Sequence, residues 1–128
     1  MIIKSESDKR VIVKNEHNGK PCYFLIDTGA SVGLVAEDRK NAFGLVQGKK
    51  FNVPLIGGSG NTIESSYMCD TIFSIGGRLF NQFVLADISG IRESIKKQTG
   101  IEILGIIGLP QMKFAGMKIN LASNYIEL

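Results

Sequence analysis

Residues 25–31 read LIDTGAS: two aliphatics, one acid, then four small residues in succession. The stretch before them, Pro21 to Ile26, has the apolar character of a strand, so Asp27 falls where core is expected. An unpaired carboxylate in such a place is costly. It either caps a turn or carries out chemistry. A turn-capping aspartate has no need of the hydrophobic run before it. The second use explains more of the pattern: the strand fixes the carboxylate, and Thr28 can return a hydroxyl hydrogen bond to nearby backbone. Gly29 permits close approach of another backbone, while Ala30 and Ser31 leave space above the acid.

Outward from this stretch the pattern is mostly β. Val11 to Lys14 and Pro21 to Ile26 flank Asn18-Gly19, a hairpin-turn signal that leads the chain into Asp27. Gly33 to Ala36 is a further short strand. Phe51 to Leu55 is strand-like and runs into the glycine-rich segment 57–61, after which an extended pattern resumes at Thr62. Met68 to Ile75 and Leu79 to Ala86 surround Gly76-Gly77, and Met117 to Leu121 and Tyr125 to Leu128 surround a final turn. Helical character is confined to Glu37–Phe43 before Gly44, to Ile91–Gln98 with its Ile91/Ile95 pair, and to a start at Leu109-Pro110. The expected fold is all-β, a closed barrel or sandwich with one or two short helices, forming one domain over residues 1–128.

Composition narrows the function classes. The chain has 128 residues, 44% of them hydrophobic, enough for a core without disulfide or metal support. The net charge of +3 comes from Lys/Arg doublets scattered along the chain, which read as solvated surface, so no nucleic-acid partner is expected. The two cysteines, Cys22 and Cys69, suggest no disulfide framework, and Cys22 reads as a buried thiol. The single histidine, His17, reads as an exposed residue beside the turn, which disfavours a Ser-His-Asp triad. No metal-ligand cluster and no cofactor motif is visible; the phosphate-loop signature is absent around the glycines at 57–60. The first residues show no signal peptide, and the apolar run near Ile101–Pro110 is too short and interrupted to cross a membrane. A cytoplasmic protein without membrane partners is expected if Met1 is the natural start.

Taken together, LIDTGAS at 25–31 and ILGIIGLPQM at 103–112 resemble the retropepsin-like aspartic proteases. The order of strand, Asp-Thr-Gly, glycine-rich hairpin, Ile-Ile-Gly, helix and terminal strands covers most of the chain from about residue 10 onward. The resemblance implies that Asp27 is catalytic, with Thr28 bracing two such turns across a dimer axis and Gly29 presenting its carbonyl to substrate backbone. It implies that Ala30 lies at the substrate, that Ile106 and Ile107 line pockets, and that Gly57, Gly58, Ser59 and Gly60 form a flap. That flap would bind an extended peptide by strand addition.

Peptide hydrolysis by paired carboxylates requires two acids sharing one proton. Of the five aspartates, Asp8, Asp27, Asp38, Asp70 and Asp87, only Asp27 has this setting, and the chain is too short for two lobes. The second carboxylate is therefore expected from another copy, in a C2 homodimer. Two departures from the retroviral members stand out. Residues 87–100 resemble an insertion found in longer cellular or bacterial relatives. Leu109-Pro110 follows Ile-Ile-Gly where a polar or basic residue commonly ties the dimer together. The competing reading is a non-catalytic module of the same fold that binds peptides or dimerises.

Overall fold

The computed structural model describes residues 1–50, 55–56, 62–63 and 65–128. The glycine-rich segment expected as a flap, Gly57 to Gly60, lies outside the described residues, as does most of the strand expected over Phe51–Leu55. The chain begins with β1 (Ile2–Lys4), β2 (Ile12–His17), β3 (Lys20–Ile26) and β4 (Gly33–Ala36). A 3-10 turn at Glu37–Arg39 and α1 (Lys40–Phe43) lead to β5 (Gln47–Lys50). Then come β6 (Leu55–Ile56), β7 (Thr62–Ile63), β8 (Ser65–Cys69), β9 (Phe73–Ile75), β10 (Arg78–Phe80) and β11 (Phe83–Ala86). Helix α2 (Ser89–Thr99), β12 (Gly105–Ile107), helix α3 (Leu109–Ala115), β13 (Lys118–Asn120) and β14 (Tyr125–Glu127) complete the chain.

The hairpins form where the sequence places them. At Asn18-Gly19 both central residues have positive φ, 51° and 77°, the geometry that matches the twist of the flanking strands. β2 and β3 pair across this turn from His17↔Lys20 to Ile12↔Leu25. β9 and β10 pair across Gly76-Gly77 in the same way.

The seven-stranded sheet has the order β2-β3-β12-β4-β11-β8-β5. β12 lies between β3 and β4, which are consecutive in the chain, parallel to β3 and antiparallel to β4. The connection from β3 to β4 therefore has to arch over the end of β12, and Asp27 is its first residue. Leu25, Val35 and Ile107 along this seam are all buried, as are Phe24, Phe73 and Phe83, whose rings pack at 5.1–5.7 Å.

Several expectations change. The strands do not close into a barrel: among the described residues β2 and β5 remain the two edges of the large sheet. Each of the two long strands expected around Gly76-Gly77 breaks in two. Gln82, at φ 61°, cannot continue an extended strand, so β10 leaves the sheet with β9 while β11 stays in it. Helix forms at all three candidate segments, where one or two were expected. His17 is half-buried, its ring 4.7 Å from that of Phe73, and burial pushes its pKa down. Both cysteines are free and buried, and burial raises Cys22 to about 11, which makes it an inert thiol. The terminal strands form a sheet in the order β1-β14-β13 within one chain, and the Met1 amine donates to the Leu128 carbonyl at 2.6 Å. Among the described residues no helix is long and apolar enough to cross a membrane.

Candidate active site

Asp27 leaves the sheet immediately after Ile26. Its own amide donates to the Ile107 carbonyl at 3.0 Å, so β12 holds the first residue of the turn as if the strand continued. The turn then closes on itself: the Ala30 amide donates to the Asp27 carbonyl at 3.1 Å, and the Gly29 amide to Asp27 Oδ1 at 2.9 Å. A bond from a backbone amide fixes the orientation of the carboxylate. Ala30 in turn accepts from the Leu109 amide at 2.9 Å, which joins the turn to the start of α3.

Two glycines make this threading possible. A Cβ on Gly108 would lie 2.9 Å from the Val32 carbonyl carbon and 3.0 Å from the Ala30 carbonyl oxygen. A Cβ on Gly105 would run into the Leu34 carbonyl oxygen and lie 2.9 Å from Val35 Cγ1. Both positions are closed to side chains by the backbone of the β3–β4 connection or of β4 itself. Gln111 completes the frame. Its Oε1 accepts from the Gly108 amide at 3.0 Å, capping α3, and its Nε2 donates to the Asn81 carbonyl at 2.6 Å.

Asp27 is half-buried rather than buried, and Thr28 and Gly29 are exposed. The apolar run ends one residue too early to enclose the acid, so the puzzle of a core carboxylate dissolves within one chain. Among the described residues the Thr28 hydroxyl has no hydrogen-bond partner, so the bond that shapes the turn is the one from Gly29. Strand alternation separates the two isoleucines. Ile106 lines a cavity with Asp27, whereas Ile107 is wholly buried and meets the site only through its carbonyl.

That cavity, about 100 Å³, contains a contribution that the sequence did not reveal. Leu25, Asp27 and Ile106 form one side. The other side is Ile91, Ser94 and Ile95 of α2, with Arg10 adjoining. The Ile91/Ile95 pair is visible as a helical signal, but nothing local to it tells that the helix lies beside Asp27. Asp27 is the single acid lining this cavity among the described residues.

Helix α2 is fastened by its ends and by charge. Asp87 Oδ1 accepts from the Ser89 amide at 2.9 Å, and the Ser89 side chain together with this amide holds the Asp87 carboxyl below its ordinary range. At the other end the Thr99 hydroxyl donates to the Ile95 carbonyl at 2.7 Å. Arg92 donates to both carboxylate oxygens of Asp38, at 2.8 and 2.6 Å. Arg39 donates to Glu102 at 2.7 Å, and Lys96 lies 3.6 Å from the same carboxylate.

A sequence profile of the aspartyl protease family matches residues 13–110. No curated protein matches by sequence. Among solved structures, the EIAV protease complexed with the inhibitor HBY-793 is similar at 19% identity and a TM-score of 0.64. The similarity covers 92% of this chain and 99% of that one. A retropepsin-like aspartic protease from Rickettsia conorii is similar at 14% identity and a TM-score of 0.51, covering 98% of this chain and 86% of that one. With its Asp-Thr-Gly turn arched over an interposed Ile-Ile-Gly strand, this chain belongs to the retropepsin-like aspartyl protease family.

Proposed function

We propose that this protein is an aspartic endopeptidase whose active form is a homodimer, with the catalytic pair made of Asp27 from each copy. One observation carries this reading: Asp27 is partly exposed at the end of a rigid strand, oriented by its Gly29 bond, with no second acid lining the cavity beside it among the described residues. A lone carboxylate so placed lacks the partner that the chemistry needs, and a second copy supplies an identical one.

Within such a pair like charges in contact cannot both ionise, so one carboxylate holds the shared proton. The ionised member takes a proton from water as the water oxygen attacks the peptide carbonyl carbon. The neutral member gives its proton to the carbonyl oxygen, forming a tetrahedral diol. Collapse of the diol breaks the C–N bond. A proton passes to the departing amine, and the pair is restored with one proton. Thr28, exposed beside Asp27, would brace the turns across the two-fold axis, and Gly29 and Ala30 would face the substrate backbone. The peptide would lie extended over the turn, covered by the glycine-rich segment 57–60.

The test is Asp27→Asn, which retains an oxygen to accept the Gly29 bond. Peptide cleavage should vanish while the thermal unfolding profile stays that of the parent. Cleavage at the parent rate would rule out the assignment.

A further inference from the structure

We infer that the groove between α3 and the β10–β11 connection docks a second segment of the substrate. That segment carries a large apolar side chain, so long unfolded polypeptides are preferred over short peptides. This rests on the reading of Asp27 as catalytic and adds to it a substrate class. The groove is a cavity of about 300 Å³ that shares no lining residue with the one beside Asp27. Phe114 of α3 and Leu79 of β10 line it and are 91% and 66% exposed. Single exposed apolar residues are ordinary on a protein surface, but two large ones on one hollow mark a place for a partner. Val32, Phe80 and Pro110 complete its apolar lining, and among the described residues no ionisable side chain joins them. A charged occupant would lose its water there without gaining a counter-charge, so the groove suits an uncharged, apolar one.

Continuity with the Asp27 turn identifies that occupant as substrate. Ser31 and Val32, which line the groove, follow directly on Ala30. The groove is also fastened to the turn. The Leu109 amide on the Ala30 carbonyl joins α3 to it at 2.9 Å. Gln111 bridges α3 and the β10–β11 connection through the Gly108 amide and the Asn81 carbonyl. A Cβ on Gly33 would run into the Gln111 amide group, so this wall has room for no further side chain. Ser31 is four residues from Asp27, a span of at most about 14 Å. An extended peptide rises ~3.3 Å per residue, so about four residues carry it from the carboxylate to the edge of the groove. An octapeptide cut at its centre ends there, whereas a longer chain enters. Two-fold pairing of copies supplies one groove for either end of the substrate.

The probes are labelled octapeptides of mixed sequence, alone or extended at both ends by six residues of Gly and Ser. A further set carries one Phe within each extension. The parent should cleave the Phe-extended set about tenfold faster than the Gly-Ser set, the gain from burying one aromatic side chain. Phe114→Ser and Leu79→Ser, both at exposed positions, should bring that ratio close to one. Leu121→Ser, 76% exposed in the β13–β14 turn, should keep the parental ratio. A parental ratio near one, a ratio that Phe114→Ser and Leu79→Ser both leave unchanged, or an equal fall in all three variants would overturn the inference. Sedimentation follows the same variants. A dimer lost in Phe114→Ser would mean that the groove seats a second copy, and would overturn it as well. The peptides are also titrated into Asp27→Asn, with and without Phe114→Ser, by fluorescence anisotropy. Tighter binding of the Phe-extended set that Phe114→Ser erases, beside a parent that cleaves no set, would support the groove and reject the endopeptidase reading. Equal binding of the two extended sets would reject the groove.

Discussion

The Asp27 turn and helix α2 face each other across one small cavity, yet they are held in opposite ways. The turn is fixed by main chain: its amide on the Ile107 carbonyl, the Leu109 amide on Ala30, and glycines where β12 passes beneath and alongside. No charged side chain other than Asp27 itself is needed to place it. Helix α2 is fixed on its outer side by charged side chains, with Arg92 on Asp38 and Lys96 beside Glu102, which also accepts from Arg39 of the 3-10 turn. Asp38 and Glu102 are 49% and 41% exposed, so these pairs are screened and weak beside the packing under the turn. The side of the cavity that would do chemistry is built from rigid backbone. The helix side hangs on contacts that salt, pH or substitution can loosen.

The largest expected effect is on the rigid side. Asp27→Asn should lower kcat/KM by about 10³-fold or more, with unfolding unchanged, as measured by peptide cleavage and thermal denaturation side by side. Next, Gly108→Ala forces a methyl group against the Ala30 and Val32 carbonyls, and overpacking of this kind costs about 1–3 kcal/mol. It should lower the denaturation midpoint and the activity together. Loss of activity without loss of stability would contradict the packing role.

The smallest effect belongs to the charged side. Arg92→Ala should cost about 1 kcal/mol, a charged hydrogen bond discounted for the exposure of Asp38. Its hydrogen bond to Arg92 holds the Asp38 carboxyl below its ordinary value of 3.8. A depressed carboxyl contributes stability that is complete above that value and is lost as the pH falls through the lower folded value. The gap between parent and Arg92→Ala in urea denaturation should therefore be steady near neutrality and shrink as the pH drops below 3.8. A gap unchanged at acid pH would contradict the ion pair.

The contrast also explains which features could be read from sequence. The hairpin at Asn18-Gly19 and the turn after Ile26 are local matters of turn chemistry and apolar patterning, and they were legible. The two ends of the β3–β12 seam were visible as LIDTGAS and GIIG because each carries its glycines and aliphatics on its own sequence. Other features depend on partners remote in the chain. β5, reading Gln-Gly-Lys-Lys, has no apolar alternation and is a strand only because β8 pairs with it through Gln47↔Cys69 and Lys50↔Tyr67. His17 is drawn out of solvent by Phe73, far along the chain. Helix α2 announced itself through Ile91 and Ile95 but not its place beside Asp27, where these residues line one cavity with Leu25 and Ile106. Two isoleucines at this spacing suit a surface helix and a pocket wall equally well.

The shared carboxylate pair is tested most directly by mixing. Parent and Asp27→Asn chains are refolded together in equal amounts, and cleavage is compared with that of the parent alone at the same total concentration. If each active unit needs Asp27 from both copies, only dimers of two parent chains cleave, and the rate falls to about one quarter. A rate of one half would mean that each chain acts by itself, and would contradict a catalytic pair shared between two copies.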